Sequence, residues 1–170
     1  QAPMSVQELL MSRIDKLDSD VKRVLQCASV IGETFPPKVL REVMTDMGID
    51  LELALKRLTG VQMIVRRPIG EEGEYAFSHS LLREVAYGSL LRKHQKDLHL
   101  KVAHGIEKVC EGRLSSFSRV LAHHYQCAGR VSQAMKCLLE DAERLLDCGE
   151  EGRAREAVVD TLGVALAGAG

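Results

Sequence analysis

The stretch from Tyr75 to Leu91, YAFSHSLLREVAYGSLL, changes its apolar period from two residues to between three and four. Tyr75 and Phe77 alternate with small residues, which is typical of a half-buried strand. The apolar residues that follow recur at helical spacing; they are Leu81, Leu82, Val85, Ala86 and Leu90. The sequence therefore predicts a strand that leads directly into an amphipathic helix, with Ser78 or His79 as its N-cap.

This helix, predicted from Ser80 to Leu91, carries candidates for contacts at a domain junction: His79, Arg83, Glu84 and Tyr87. Arg83 and Glu84 lie away from the leucines, so a solvated face and a salt bridge to a neighbouring domain both remain open. At His79 a cap or packing role is favoured over catalysis. Gly88 is predicted inside the helix, where glycine costs about 1 kcal/mol relative to alanine and permits a kink.

The residues ahead of this stretch predict four helices and a β-hairpin. The helices begin at Ser5, at Asp18 or Ser19, at Pro36 or Pro37, and at Asp50. A turn is predicted over 33–37. Strands are predicted over 61–67 and 74–78, and Phe77 and Leu81 are expected inside, against Val24, Leu25 and Ala28. Helices followed by one hairpin predict a winged-helix domain over residues 5–91.

Residues 92–170 contain four further helical patterns, which end near glycines or at short polar turns. The pieces GRVSQA, at Gly129–Ala134, and GRAREA, at Gly152–Ala157, have Gly, Arg and Ala at the same places ahead of apolar helices. This internal echo predicts stacked α-hairpins. The predicted fold is therefore mainly α, with a TPR-like helical arm over residues 92–170.

The composition is typical of a helical protein packed with leucine and alanine, and the charge does not favour a polyanion binder. The net charge of -1 gives no global attraction for phosphate. Five cysteines without a CxxC pair predict free thiols and a cytoplasmic location, and Cys27, Cys110 and Cys137 are interpreted as small core residues. No apolar run approaches the length of a membrane span, and residues 1–4 do not form a signal peptide. The chain is interpreted as a piece of a longer protein.

The sequence predicts no catalytic, cofactor-binding or metal-binding residue in this chain. No GxxxxGK[ST] loop is present, and the predicted strands carry no paired aspartates that could hold magnesium ions. Histidines at 94, 99 and 104 rotate by about 140° from one to the next on a helix, and the adjacent His123 and His124 diverge. The histidines are therefore interpreted as surface or interface residues rather than ligands.

Four segments carry a resemblance to a known family: Val21–Phe35, Tyr75–Leu91, Leu98–Val109 and Leu121–Leu146. They resemble the region after the nucleotide-binding core of STAND-type AAA+ ATPases, above all in soluble, bicarbonate-activated adenylyl cyclases and related bacterial cyclase and kinase fusions. The resemblance implies a regulatory winged-helix and TPR-like module that relays the state of an upstream ATPase. It also implies ATP and Mg in the parent protein, and partners that are the ATPase core, downstream repeats or another protein.

The alternative function is a winged-helix nucleic-acid-binding segment of an ATP-dependent transcription regulator, with residues 50–59 in the major groove of DNA. The charges argue against it, because carboxylates occupy the positions that would meet phosphate; they are Asp50, Glu52, Glu71, Glu72 and Glu74. Basic residues nearby offset them only in part; they are Lys56, Arg57, Arg66 and Arg67. A protein-interaction role is favoured, and nucleic acid is not expected as a partner.

Overall fold

The computed structural model describes residues 4–70 and 72–168. The fold is mainly helical, as predicted, and the chain divides into two compact units, Gln1–Gln95 and Lys96–Gly170. The units divide after Gln95, whereas the sequence places the domain boundary after Leu91. In the described residues no helix combines the length and apolarity needed to cross a bilayer.

The first unit contains five helices and three short strands among its described residues. They are α1 (Val6–Asp15), α2 (Ser19–Ile31), β1 (Thr34–Phe35), α3 (Pro37–Met44), a 3-10 turn (Thr45–Met47), α4 (Leu51–Gly60), β2 (Ile64–Arg67), β3 (Glu74–Phe77) and α5 (Ser80–Gly88). The predicted capping box of α1 is present, because Ser5 Oγ accepts from the Glu8 N–H at 3.2 Å and Glu8 accepts from the Ser5 N–H at 2.7 Å. Asp50 caps α4 by accepting from the Leu53 N–H.

The three strands form an antiparallel sheet in the order β1-β3-β2. The predicted hairpin is confirmed, with Ile64 opposite Phe77 and Arg67 opposite Glu74. The prediction of a simple turn over 33–37 is wrong, because Thr34 and Phe35 pair with β3. The buried Phe35 ring stacks on Tyr75 at 5.9 Å, which stabilises this short pairing. Proline at 36 and 37 limits the strand to two residues, since proline has no N–H to donate.

Phe77 is buried, as predicted, and meets Phe35 edge-on at 5.9 Å. Leu81, predicted to be buried, is only half-buried. The helix begins at Ser80 and instead turns Leu82 and Ala86 inward, four residues apart on one face. Because Leu81 and Leu82 are adjacent, the sequence alone does not determine which of them is buried. The start of α5 at Ser80 places Leu82 on the buried face.

The helix α5 ends at Gly88 and not at Leu91, so Gly88 is a terminal rather than an interior residue. The cost and the kink that the sequence predicts for an interior glycine therefore do not apply. A Cβ added at Gly88 would have no described heavy atom within 4 Å.

We expect Gly88→Ala to stabilise the chain by about 0.4 to 1 kcal/mol, because alanine restricts the unfolded state and fits the helical backbone. Urea unfolding followed by circular dichroism measures the change. The control is Gly73→Ala, which should destabilise, because Gly73 has φ of +76° and an added Cβ would lie 3.0 Å from the Arg67 carbonyl oxygen. Destabilisation by Gly88→Ala would show that the site is strained or crowded.

The second unit contains most of α6 (Arg92–Val109), which begins in the first unit, and three later helices. These are α7 (Ser118–Cys127), α8 (Val131–Asp147) and α9 (Glu151–Gly168), with a 3-10 turn at Leu114–Phe117. The helix α8 packs against both α7 and α9. Of the cysteines predicted in the core, Cys27 in the first unit and Cys110 are buried, whereas Cys137 is half-buried. The five cysteines, all in the described part of the chain, are free thiols.

The turns before α8 and α9 share one geometry. Gly129 and Gly149 have φ of +75° and +76°. The N–H groups of Gly129 and Arg130 donate to the carbonyls of Gln126 and Tyr125, which is a Schellman motif. The same two hydrogen bonds recur at Gly149 and Glu150.

These turns show that the two repeated segments align differently from the alignment predicted by their residue identities. The sequence pairs Gly129 with Gly152, but Gly152 lies inside α9. The structural counterpart of Gly129 is Gly149, and Ala134 then corresponds to Ala154; both alanines are buried. Aligning the two segments by residue identity paired a turn glycine with a helical glycine, because the sequence does not reveal which glycine has a positive φ.

Candidate functional site

The four junction candidates lie at the start, middle and end of α5. His79 is the N-cap residue, with an extended backbone (φ -145°, ψ 138°) and an exposed side chain. Its side chain makes no capping hydrogen bond within the described chain. The other predicted cap, Ser78, instead donates from Oγ to the Gln62 carbonyl at 2.6 Å, which ties the end of β3 to the residues ahead of β2.

Arg83 joins α5 to the carboxyl end of α2. Its side chain is half-buried, and Nε donates to the Ser29 carbonyl at 3.0 Å. Carbonyls in the last turn of a helix carry partial negative charge and lack helical donors, so a guanidinium is a favourable partner there. Arg83 therefore has a partner within the first unit.

Three further hydrogen bonds hold the end of α5, and none of them was predicted from the sequence. Gln26 Nε2 of α2 donates to Ser89 Oγ at 2.9 Å, and Ser89 Oγ donates to the Ala86 carbonyl at 2.6 Å. Gln95 Nε2 donates to the carbonyl of the half-buried Tyr87 at 3.0 Å. The inner side of α5 is thus anchored by hydrogen bonds as well as by apolar packing.

The side of α5 that carries Glu84 faces α1 across an open groove. Glu84 is exposed and lines a groove of about 490 Å³ between α1 and α5. The groove is lined by Gln7, Glu8, Met11, Glu84, Val85 and Gly88. The pKa of Glu8 is lowered chiefly by its hydrogen bond with the Ser5 backbone and, to a smaller extent, by its hydrogen bond with the Ser5 side chain. Met11 and Val85 give this groove, which we call the α1–α5 groove, an apolar component beside carboxylates.

A second groove, of about 660 Å³, lies beside the helix of the DNA-binding alternative. It is lined by Asp50, Glu52, Leu53, Lys56, Thr59, Gly60, Arg66 and Tyr75. Basic side chains nearby already contact acceptors of the first unit: Arg57 pairs with Asp18, Arg41 with Glu52, Lys38 with Glu72, and Arg66 donates to the Glu72 carbonyl. Glu71, predicted at the tip of the hairpin, lies outside the described residues. DNA phosphates would have to compete with these acceptors.

The second unit brings together polar side chains that the sequence does not place side by side. Asp141 of α8 is 4% exposed and accepts from Arg119 Nε at 3.1 Å and from Arg144 at 2.7 Å. Burial alone would raise the pKa of Asp141, but the hydrogen bonds from Arg144 and Arg119 outweigh it and lower that pKa.

Two of the histidines interpreted as surface or interface residues are buried. His99 of α6 and His124 of α7 are 2% and 1% exposed, and their Nδ1 atoms are 2.8 Å apart. The helical rotation used in the sequence analysis places histidines of one helix on different faces. It cannot predict that histidines of two different helices contact each other. One pattern in the sequence could have indicated a group of potential ligands: His123 and Cys127 are four residues apart and therefore share one helical face.

Comparison with known proteins gives an alignment with a protein of uncharacterized function and therefore indicates no function for this chain. Over 155 residues the chain is 24% identical to an uncharacterized protein of Rhizobium meliloti, with 91% of this chain aligned. The chain spans about 14% of the length of that relative. No family model matches the chain, and no solved structure matches it.

Proposed function

We propose that this chain is a non-catalytic regulatory and interaction module of a multidomain signalling ATPase linked to a nucleotide cyclase that makes cAMP from ATP. In this proposal the first unit is a winged-helix domain and the second a TPR-like arm, and the parent acts in the cytoplasm. ATP and Mg bind to an upstream ATPase core. The helices followed by a hairpin, the two matching Schellman turns and the sequence resemblance support the assignment.

The observation that carries the proposal is the two-sided character of α5. Arg83 and Ser89 anchor its inner side to α2, while Glu84 on its outer side borders the open α1–α5 groove. A helix that is anchored to its own unit and borders an accessible groove is suited to bind a neighbouring domain and to bias its position. Coupling between sites of this kind is typically about 1 to 3 kcal/mol.

The DNA-binding alternative is less favoured by the charges. The helix α4 is capped by Asp50 and has Glu52 in its first turn, and Arg57 and Arg66 contact acceptors of their own unit. Non-specific DNA affinity comes mainly from basic groups that neutralise phosphates. A protein surface is therefore the better partner for the first unit.

We expect the purified chain to bind neither a fluorescein-labelled DNA duplex nor ATP at physiological salt. Fluorescence anisotropy for the duplex and calorimetry for ATP measure this directly. Non-specific DNA binders have dissociation constants of about 1 to 100 µM under these conditions. Micromolar binding with a steep salt dependence would favour the DNA-binding alternative. ATP hydrolysis by the chain would contradict the non-catalytic proposal.

A further inference from the structure

The helices α6 and α7 bring three potential metal ligands of the second unit together. They are His99 of α6, and His123 and Cys127 of α7. One ligand atom from each residue lies within 4.8 Å of the other two. His123 and Cys127 are four residues apart and therefore share one face of α7. This group, which we call the His–His–Cys cluster, lies outside the α1–α5 groove and is independent of the proposed function.

The distance between Cys127 and His123 is close to that between two ligands of a tetrahedral zinc ion. Zinc lies about 2.0 to 2.1 Å from imidazole nitrogen and about 2.3 Å from thiolate sulfur, which separates the two ligand atoms by about 3.6 Å. Cys127 Sγ is 3.8 Å from Nε2 and 4.0 Å from Nδ1 of His123. The separation suits a shared ion, and the His123 ring would have to turn one nitrogen toward that ion for both residues to coordinate it.

His124 supplies the outer contact that ligand histidines usually have. Its Nδ1 is 2.8 Å from Nδ1 of His99, and both rings are buried. A hydrogen bond between these atoms needs a proton on one of them, so it fixes the ring orientation of His99 and restricts its tautomer. Partners of this kind commonly change metal affinity by about 10-fold to 100-fold.

The cluster has a route for an ion to enter. His123 is exposed and Cys127 is half-buried, while His99 lies at the buried end. Three protein ligands leave one position of a tetrahedral ion for water. Imidazole and thiolate together favour zinc over magnesium or calcium, which prefer oxygen ligands.

We infer that His99, His123 and Cys127 form a binding site for Zn²⁺, with His124 positioning His99 and water as the fourth ligand. The sequence predicts no metal site, because it shows the histidines only along single helices. The sequence prediction and this inference therefore differ in one measurable property, which is whether the whole chain binds one equivalent of metal.

Cobalt titration of the whole chain under metal-free, reducing conditions tests the inference. We expect a 1:1 complex with a thiolate-to-cobalt charge-transfer band, which Zn²⁺ then displaces. Cys127→Ser should abolish that band, and His123→Ala, at an exposed position, should weaken zinc binding at least about 10-fold. Circular dichroism of each variant checks that the helices are intact.

The matched control is Cys148→Ser, which removes an exposed thiol of the same unit and should leave the band and the zinc affinity unchanged. The inference is overturned if the chain gives no charge-transfer band, or if Cys127→Ser and His123→Ala bind zinc as the unmodified chain does. Loss of the band in Cys148→Ser would also overturn it, since the thiolate ligand would then be elsewhere.

Discussion

Replacing Phe77 with alanine is expected to lower the free energy of unfolding by about 3 to 5 kcal/mol. Phe77 is 4% exposed and contacts the buried ring of Phe35 edge-on. The substitution removes a large apolar area from the core and one partner of an aromatic pair. It also leaves a cavity beside the shortest strand pairing of the sheet, that of Thr34 and Phe35 with β3.

Denaturant unfolding of the whole chain, followed by circular dichroism, measures this change. Val65→Ala is the matched control, because Val65 lies on the neighbouring strand but is 40% exposed; it should cost less than about 1 kcal/mol. A loss below about 1 kcal/mol for Phe77→Ala would place Phe77 at the surface and shift the strand register by one residue.

Asp141→Ala is expected to cost about 1 to 3 kcal/mol, because it leaves two arginines without their shared buried carboxylate. The arginines are themselves 40–45% exposed, and water compensates for part of the loss. Asp160→Ala is the control, since Asp160 is exposed and lies 3.9 Å from the same Arg119. Equal effects of the two substitutions in denaturant unfolding would contradict a special role for the buried carboxylate.

The contribution of Asp141 should also depend on pH. Its pKa is lowered in the folded chain, so its stabilising effect is fully present above the unfolded value of about 3.9. That effect is lost as the pH falls through the lower, folded value. The stability difference between the unmodified chain and Asp141→Ala should therefore shrink below about pH 4. A difference that grew on acidification would contradict the pairing with Arg119 and Arg144.

Local signals predicted the elements that depend on neighbouring residues. Ser5 and Glu8 predicted the start of α1, and the change of period near Phe77 predicted the passage from β3 to α5. Such features are visible because caps and apolar periods act over a few residues.

The remaining features depend on contacts that one segment does not contain. The strand β1 is recognised only through its pairing with β3, and the choice between Leu81 and Leu82 depends on where α5 starts. The contact of Arg83 with the Ser29 carbonyl joins residues 54 positions apart. The His–His–Cys cluster likewise forms only when α6 and α7 meet.

The proposed regulatory role depends most directly on the outer side of α5. If the full-length protein is the proposed cyclase, Glu84→Ala should shift the ATP dependence of its activity by about 2-fold to 30-fold, the effect expected for one residue of a coupling element. Stability should change by less than about 0.5 kcal/mol, since Glu84 is exposed. Glu143→Ala, at an exposed position of α8, is the control and should change neither property.

The deciding measurement is cAMP production by full-length Glu84→Ala and Glu143→Ala across an ATP titration, beside thermal melts of both variants. We expect the ATP dependence to shift only in Glu84→Ala and both variants to melt as the unmodified protein does. Unchanged activity together with unchanged stability in Glu84→Ala would contradict the proposed regulatory role and leave α5 as a purely structural helix.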